Sequence, residues 1–213
     1  FLVVTIAGER LELARLQQVT GAAQATFLLL LGILLTGLLL LGWSFDGGVR
    51  LFGLGLAGLA LWLGRHDIAR RTVKQAGLTR FIAICLLTGY VWLGISGLSA
   101  MWFGGVPVGP QYDATLHAFF LGFVFAMIFA HAPIIFPAVL GARMTYRPLF
   151  YAHVVLLQVT LVVRFIGDAA GWSAGRQVGG LLNAVTLLLF LVNTVSALRS
   201  PPERAGTAQG RGA

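Results

Sequence analysis

An all-α fold whose helices cross a membrane is what this sequence predicts, and three observations predict it. Hydrophobic residues make up 58% of the chain and charged residues 10%, where a soluble domain carries about 25% charge. Apolar stretches repeatedly reach about 20 residues, the length at which a helix spans a bilayer. These stretches are continuous rather than alternating in polarity, which argues against a membrane barrel. Mean hydropathy is +0.88 and the pI is about 11.1. In such a chain a basic pI reflects short loops beside lipid and gives no reason to expect nucleic acid as a partner.

The elements follow in order. FLVVTIAG, Phe1–Gly8, is too short to span and lacks the basic flank of a signal peptide. It reads as the end of a helix that begins earlier in a longer membrane protein. AGERLELARLQQ, Ala7–Gln18, continues that helix. Glu9 and Glu12 share a face with Thr5 there. That face is expected to be solvated, with proton entry as the alternative.

Six spans come next: Gln24–Ser44, Val49–Gly64, Thr79–Phe103, Tyr112–Leu140, Pro148–Gly171 and Val178–Leu198. The second is barely long enough to cross. Residues 1–198 thus form one helical transmembrane domain. Arg199–Ala213 is polar and rich in Gly and Pro, and is expected to be a disordered cytoplasmic tail.

Positive charge gives the orientation. One set of loops holds Arg10, Arg15, Arg65, Arg70, Arg71, Lys74, Arg80, Arg143, Arg147, Arg199, Arg204 and Arg211, whereas the other holds only Arg50 and Arg176. Both termini are therefore expected in the cytoplasm. RHDIARRTVK, Arg65–Lys74, reads as a short interfacial helix with His66 in solvent.

Polar residues inside spans are candidates for function, because lipid requires that they be paired or line a cavity. At about 100° per residue, Asp113, His117 and His131 fall within about 40° on the fourth span. The two histidines lie 14 positions apart, about 21 Å along the axis, too far to share one metal ion. Ala118, Gly122, Ala126 and Ala130 line the other flank and permit close helix packing. Pro133 and Pro137 are expected to kink or end this helix after His131.

On the fifth span His153, Thr160, Arg164 and Asp168 share a face, and Arg164 and Asp168 can pair at i, i+4. Two clusters are expected: an outer one of Asp113, His117, Arg164 and Asp168, and an inner one of His131 and His153. Counting along the helices leaves the facing residues about 7–9 Å apart in depth, a gap that tilt or the proline kink has to close.

Imidazole is a common ligand for haem iron and copper, so His117, His131 and His153 are the candidate ligands. Structural hydrogen bonding and proton or substrate handling remain the alternatives. Cys85 is the only cysteine, which leaves no internal disulfide or thiolate cluster, and it reads as a small buried hydrophobe. Thr88, Trp92, Ser96 and Ser99 on the third span, and Asn183, Thr186 and Asn193 on the sixth, read as glue between helices. GLGLAG, Gly53–Gly58, lacks the preceding strand of a dinucleotide fingerprint. No catalytic triad can be placed.

Three segments carry a family resemblance: LHAFFLGFVFAMI (Leu116–Ile128), LGARMTYRPL (Leu140–Leu149) and LVVRFIGDAAGW (Leu161–Trp172). They resemble the C-terminal half of the NnrS family, polytopic bacterial membrane proteins that bind haem and copper and are linked to nitric oxide stress and denitrification. His117, Gly122, Met127, Arg147, Pro148 and Arg164 occupy places matching the family pattern. That pattern usually has Gly-His-Thr-Gly-Arg in the loop where Ala142 follows Gly141 here.

The resemblance implies a haem- or copper-binding protein of the bacterial inner membrane. His117 would be an axial or copper ligand, and Arg164 would anchor a propionate or tune the site. Alternatives are a cofactor-free proton-coupled transporter or channel using Asp113, His117, Arg164 and Asp168, and a structural subunit of an oligomer or larger respiratory complex.

Overall fold

The computed structural model describes residues 2–15 and 20–199. Most of the expected C-terminal tail, with Arg204 and Arg211, lies outside them. The chain runs α1 (Leu2–Arg15), α2 (Gly21–Leu40), α3 (Phe45–His66), α4 (Ala69–Thr72), α5 (Gly77–Phe103) and α6 (Pro110–His117). A π-helical segment (Ala118–Val124) continues α6 into α7 (Phe125–Leu140), followed by β1 (Arg143–Met144), α8 (Phe150–Ala169), α9 (Ser173–Ala197) and β2 (Leu198–Arg199). Six of these helical rods are long and apolar enough to cross a membrane. The protein is a multi-pass helical bundle, as the apolar runs predict.

Helix ends explain where the hydropathy pattern falls short. The second span is not marginal but runs the 22 residues of α3. Ser44 caps it by accepting a bond from the Gly47 amide. Asp46 in the first turn pairs with Arg50 at 2.8 Å, a charge placement that the helix dipole favours. These polar residues belong to the helix but lower its apparent hydrophobicity. Arg65–Lys74 contains the single-turn α4. His66 is half-buried rather than solvated, with its ring stacked on Trp62 at 4.8 Å.

The bundle is layered in sequence order: α2 packs on α3, α3 on α5, α5 on the α6–π–α7 rod, that rod on α8, and α8 on α9. The GLGLAG motif serves this packing. A methyl group at Gly53 would lie 2.6 Å from the Gly97 carbonyl of α5, and one at Gly55 would lie 2.7 Å from Leu34 of α2. Small residues of this kind let helix backbones approach in lipid. At one end of the bundle β1 pairs antiparallel with β2, tying the α7–α8 link to the end of α9.

The fourth span departs from expectation. Pro133 and Pro137 lie inside α7 without ending it, and the helix stops at Gly141, whose φ is +60°, a left-handed cap suited to glycine. The irregularity falls earlier, at the π segment. A π turn inserts about one extra residue into the α register, which rotates everything after it by about 100°. His117 and His131 therefore do not share the single stripe that an unbroken helix would give them. Ala118, Gly122, Ala126 and Ala130 are all buried, as close packing requires. Gly122 lies against the Trp92 side chain of α5.

Candidate functional site

The outer cluster forms where α6, α8 and α9 meet. Its position comes from the tight α8–α9 hairpin. A methyl group at Gly179 of α9 would sit 2.7 Å from the Arg164 amide nitrogen, and one at Gly167 of α8 would sit 2.6 Å from the Arg176 amide nitrogen. Only glycine allows this approach, and it carries the Arg176 carbonyl to Arg164, whose Nη1 donates to it at 2.8 Å.

Asp168 is fully buried, and two guanidinium groups hold it. Arg164 Nε donates to Oδ2 at 2.9 Å and Arg176 Nε donates to Oδ1 at 2.7 Å. Asp113, in the first turn of α6, accepts from Arg176 Nη2 at 3.1 Å and lies 3.7 Å from Arg164 Nη2. Two arginines thus face two aspartates, and the charges balance. A buried charge without such pairing would be costly.

His117 closes the cluster, with Nδ1 3.9 Å from Asp168 Oδ2. The same nitrogen is 2.7 Å from the Asp113 carbonyl oxygen. A carbonyl only accepts, so this contact assigns the proton to Nδ1 and leaves the Nε2 lone pair available. No hydrogen bond to Nε2 occurs among the described residues. The side chain is 27% exposed and opens onto a shallow apolar recess formed with Leu116, Phe120 and Leu121.

The structure thus brings together Asp113, His117, Arg164 and Asp168, and it adds Arg176. By sequence Arg176 stands only as a loop charge. Its signal was the small-residue run around it, Gly175 and then Gly179 and Gly180, one turn further on the face toward Arg164.

The inner pair is a different matter. No described contact joins His131 to His153. His131 donates from Nδ1 to the Met127 carbonyl at 2.7 Å, and its Nε2 accepts from Arg10 Nη2 at 2.6 Å. Both ring nitrogens are used. Arg10, by sequence one of the loop charges, is only 8% exposed. Its Nε lies 3.9 Å from Asp67, which also accepts from the Tyr90 hydroxyl at 2.7 Å and the Ala69 amide at 2.7 Å. The change of partner follows from the π segment, which turns His131 toward α1 and away from the His117 face.

His153 is buried among the rings of Phe81, Phe129, Phe150 and Phe190. Asn193 Nδ2 approaches its Nδ1 at 3.4 Å, and among the described residues its Nε2 has no hydrogen-bond partner. Elsewhere Trp92, Ser96 and Asn183 join helices as expected, whereas the Thr88 and Thr186 hydroxyls donate to carbonyls of their own helices. Trp92 Nε1 donates to Gln158 at 2.6 Å, Ser96 to the Thr115 carbonyl, and Thr160 to Asn183 at 2.7 Å. Cys85 is buried.

As a ligand, His117 fits. A metal-bound imidazole usually donates its other N–H to a carbonyl or carboxylate, which fixes the tautomer and orients the ring. His131 does not fit, because Arg10 occupies its second nitrogen. Among the described residues no three His, Cys, Asp or Glu side chains are grouped to hold a metal ion. His117 thus offers a single imidazole donor, with no second such ligand grouped beside it among the described residues.

No curated protein and no solved structure matches the chain. A family model does match, described as a domain of unknown function (DUF8744), over residues 1–199. The match takes in all six membrane-crossing rods and both charged clusters, so the chain belongs to the DUF8744 family.

Proposed function

We propose that this protein is a haem-binding protein of the bacterial inner membrane, of the NnrS type and linked to nitric oxide or denitrification stress, with His117 as the residue that would hold the iron. The observation that carries this reading is the His117 ring itself. Its Nδ1 is tied to the Asp113 carbonyl at 2.7 Å, and its partly exposed ring lines an apolar recess with Leu116, Phe120 and Leu121. The resemblance around Leu116–Ile128 supports it independently. The excess of Arg and Lys in one set of loops supports cytoplasmic termini.

When bound, haem would supply a redox-active iron. The chain's own residues do the positioning. The Asp113 carbonyl holds the imidazole tautomer. Asp168, close to the same ring, would raise the electron density of the imidazole, and it is itself paired with Arg164 and Arg176. Arg164 has its Nε and Nη1 engaged inside the cluster, which favours the tuning role over propionate anchoring.

A second reading rests on the same cluster. Asp113, His117 and Asp168 form a run of titratable groups in a membrane helix bundle, as a cofactor-free proton-coupled transporter would need. The absorption spectrum of the purified protein separates the two. A Soret band that weakens in His117→Ala is the expected result. Colourless protein with proton-linked flux lost in the same variant favours the transporter and overturns the haem reading.

A further inference from the structure

We infer that the groove between α3 and α5 is a binding site for an anionic phospholipid. The groove encloses about 840 Å³. Ala57, Ala60 and Gly64 of α3 and Gly94 of α5 hollow out its floor, and Leu87 and Leu98 mark its two ends along α5. From Leu87 to Leu98 is 11 residues, about 16 Å of helix at 1.5 Å per residue. One leaflet of a bilayer has a hydrocarbon depth of about 15 Å. The trough is therefore the length of one lipid tail.

Charge identifies the head. Arg65 and Arg70 line one end of the groove, and among the described residues no carboxylate does. Both are exposed. Among the described residues neither guanidinium enters an ion pair. The single hydrogen bond from Arg70, at 3.4 Å, goes to the Arg65 carbonyl. Asp67, the nearest acid in the chain, is buried and engaged by the Tyr90 hydroxyl and the Ala69 amide. Two unneutralised arginines above an apolar trough one leaflet deep complement a phosphate headgroup with its acyl chain below. Basic pockets between membrane helices recognise lipid phosphates in this way.

Native mass spectrometry of the full chain, in detergent carrying equal phosphatidylglycerol and phosphatidylcholine, tests the site. The wild-type protein should retain one lipid and prefer phosphatidylglycerol. Each basic residue near a membrane surface contributes roughly a factor of five, so the preference should be roughly 25-fold. Arg65→Gln with Arg70→Gln should bring it to parity. Gly94→Leu, which fills the trough and leaves both arginines in place, should reduce retention of both lipids while the helical circular dichroism is unchanged. No preference in the wild type, or a preference that survives the double substitution, overturns the proposal. So does a lipid-free dimer, which would assign the groove to a second copy of the chain.

Discussion

The two charged clusters of this protein are built from similar residues and reach opposite ends. In the α6–α8–α9 cluster, Asp168 and Asp113 satisfy Arg164 and Arg176, and His117 keeps one nitrogen free. In the α1–α3–α5–α7 cluster, Arg10 consumes the second nitrogen of His131, while Tyr90 and Ala69 hold Asp67. The first leaves an imidazole available for chemistry. The second spends its imidazole as a bolt between α1 and α7. The difference lies in where the arginine donors go: Arg164 and Arg176 give theirs to Asp168, Asp113 and a backbone carbonyl, whereas Arg10, although 3.9 Å from Asp67, gives one to His131.

Breaking each cluster in turn should expose this contrast. The largest effect is expected from Asp168→Ala, which strands two guanidinium groups around a buried position. Removing one partner of a buried pair costs about 3–5 kcal/mol, and denaturant unfolding in detergent would measure it. Tyr90→Phe removes one bond to the Asp67 carboxylate and should cost about 1.5–3 kcal/mol, the usual range for a bond to a charged group. The His117 spectrum should not change in that variant.

Gly179→Ala forces α8 and α9 apart at the Arg164 backbone. Overpacking at such a contact costs about 1–3 kcal/mol, and here the spectrum should shift together with stability. The smallest effect belongs to Glu9→Gln. Glu9 is exposed, and its loss should move stability by less than about 0.5 kcal/mol. A large effect there would mean that Glu9 belongs to the Arg10 network after all.

The sequence foretold the first cluster better than the second for a physical reason. Arg164 and Asp168 are one helical turn apart, so local geometry alone brings them together. Asp113 and His117 are related in the same way on α6. Arg10 and His131, by contrast, are separated by 121 positions, and nothing local relates them. Arg10 has the same residue type as the loop arginines that orient the chain, and composition cannot tell one from the other. The six spans were legible because bilayer length and apolar composition act together. The π segment was not, because AFFLGFV is apolar throughout and shows no polar period from which a register shift can be read. That shift is what separates His131 from the face of His117.

The central claim is that His117 is the ligand and His131 is not. The most direct test compares the absorption spectra of His117→Ala and His131→Ala, each purified from cells supplied with haem. The account predicts a Soret band that is lost in the first variant and kept in the second. A colourless wild-type protein, or a band lost in His131→Ala and kept in His117→Ala, would contradict it.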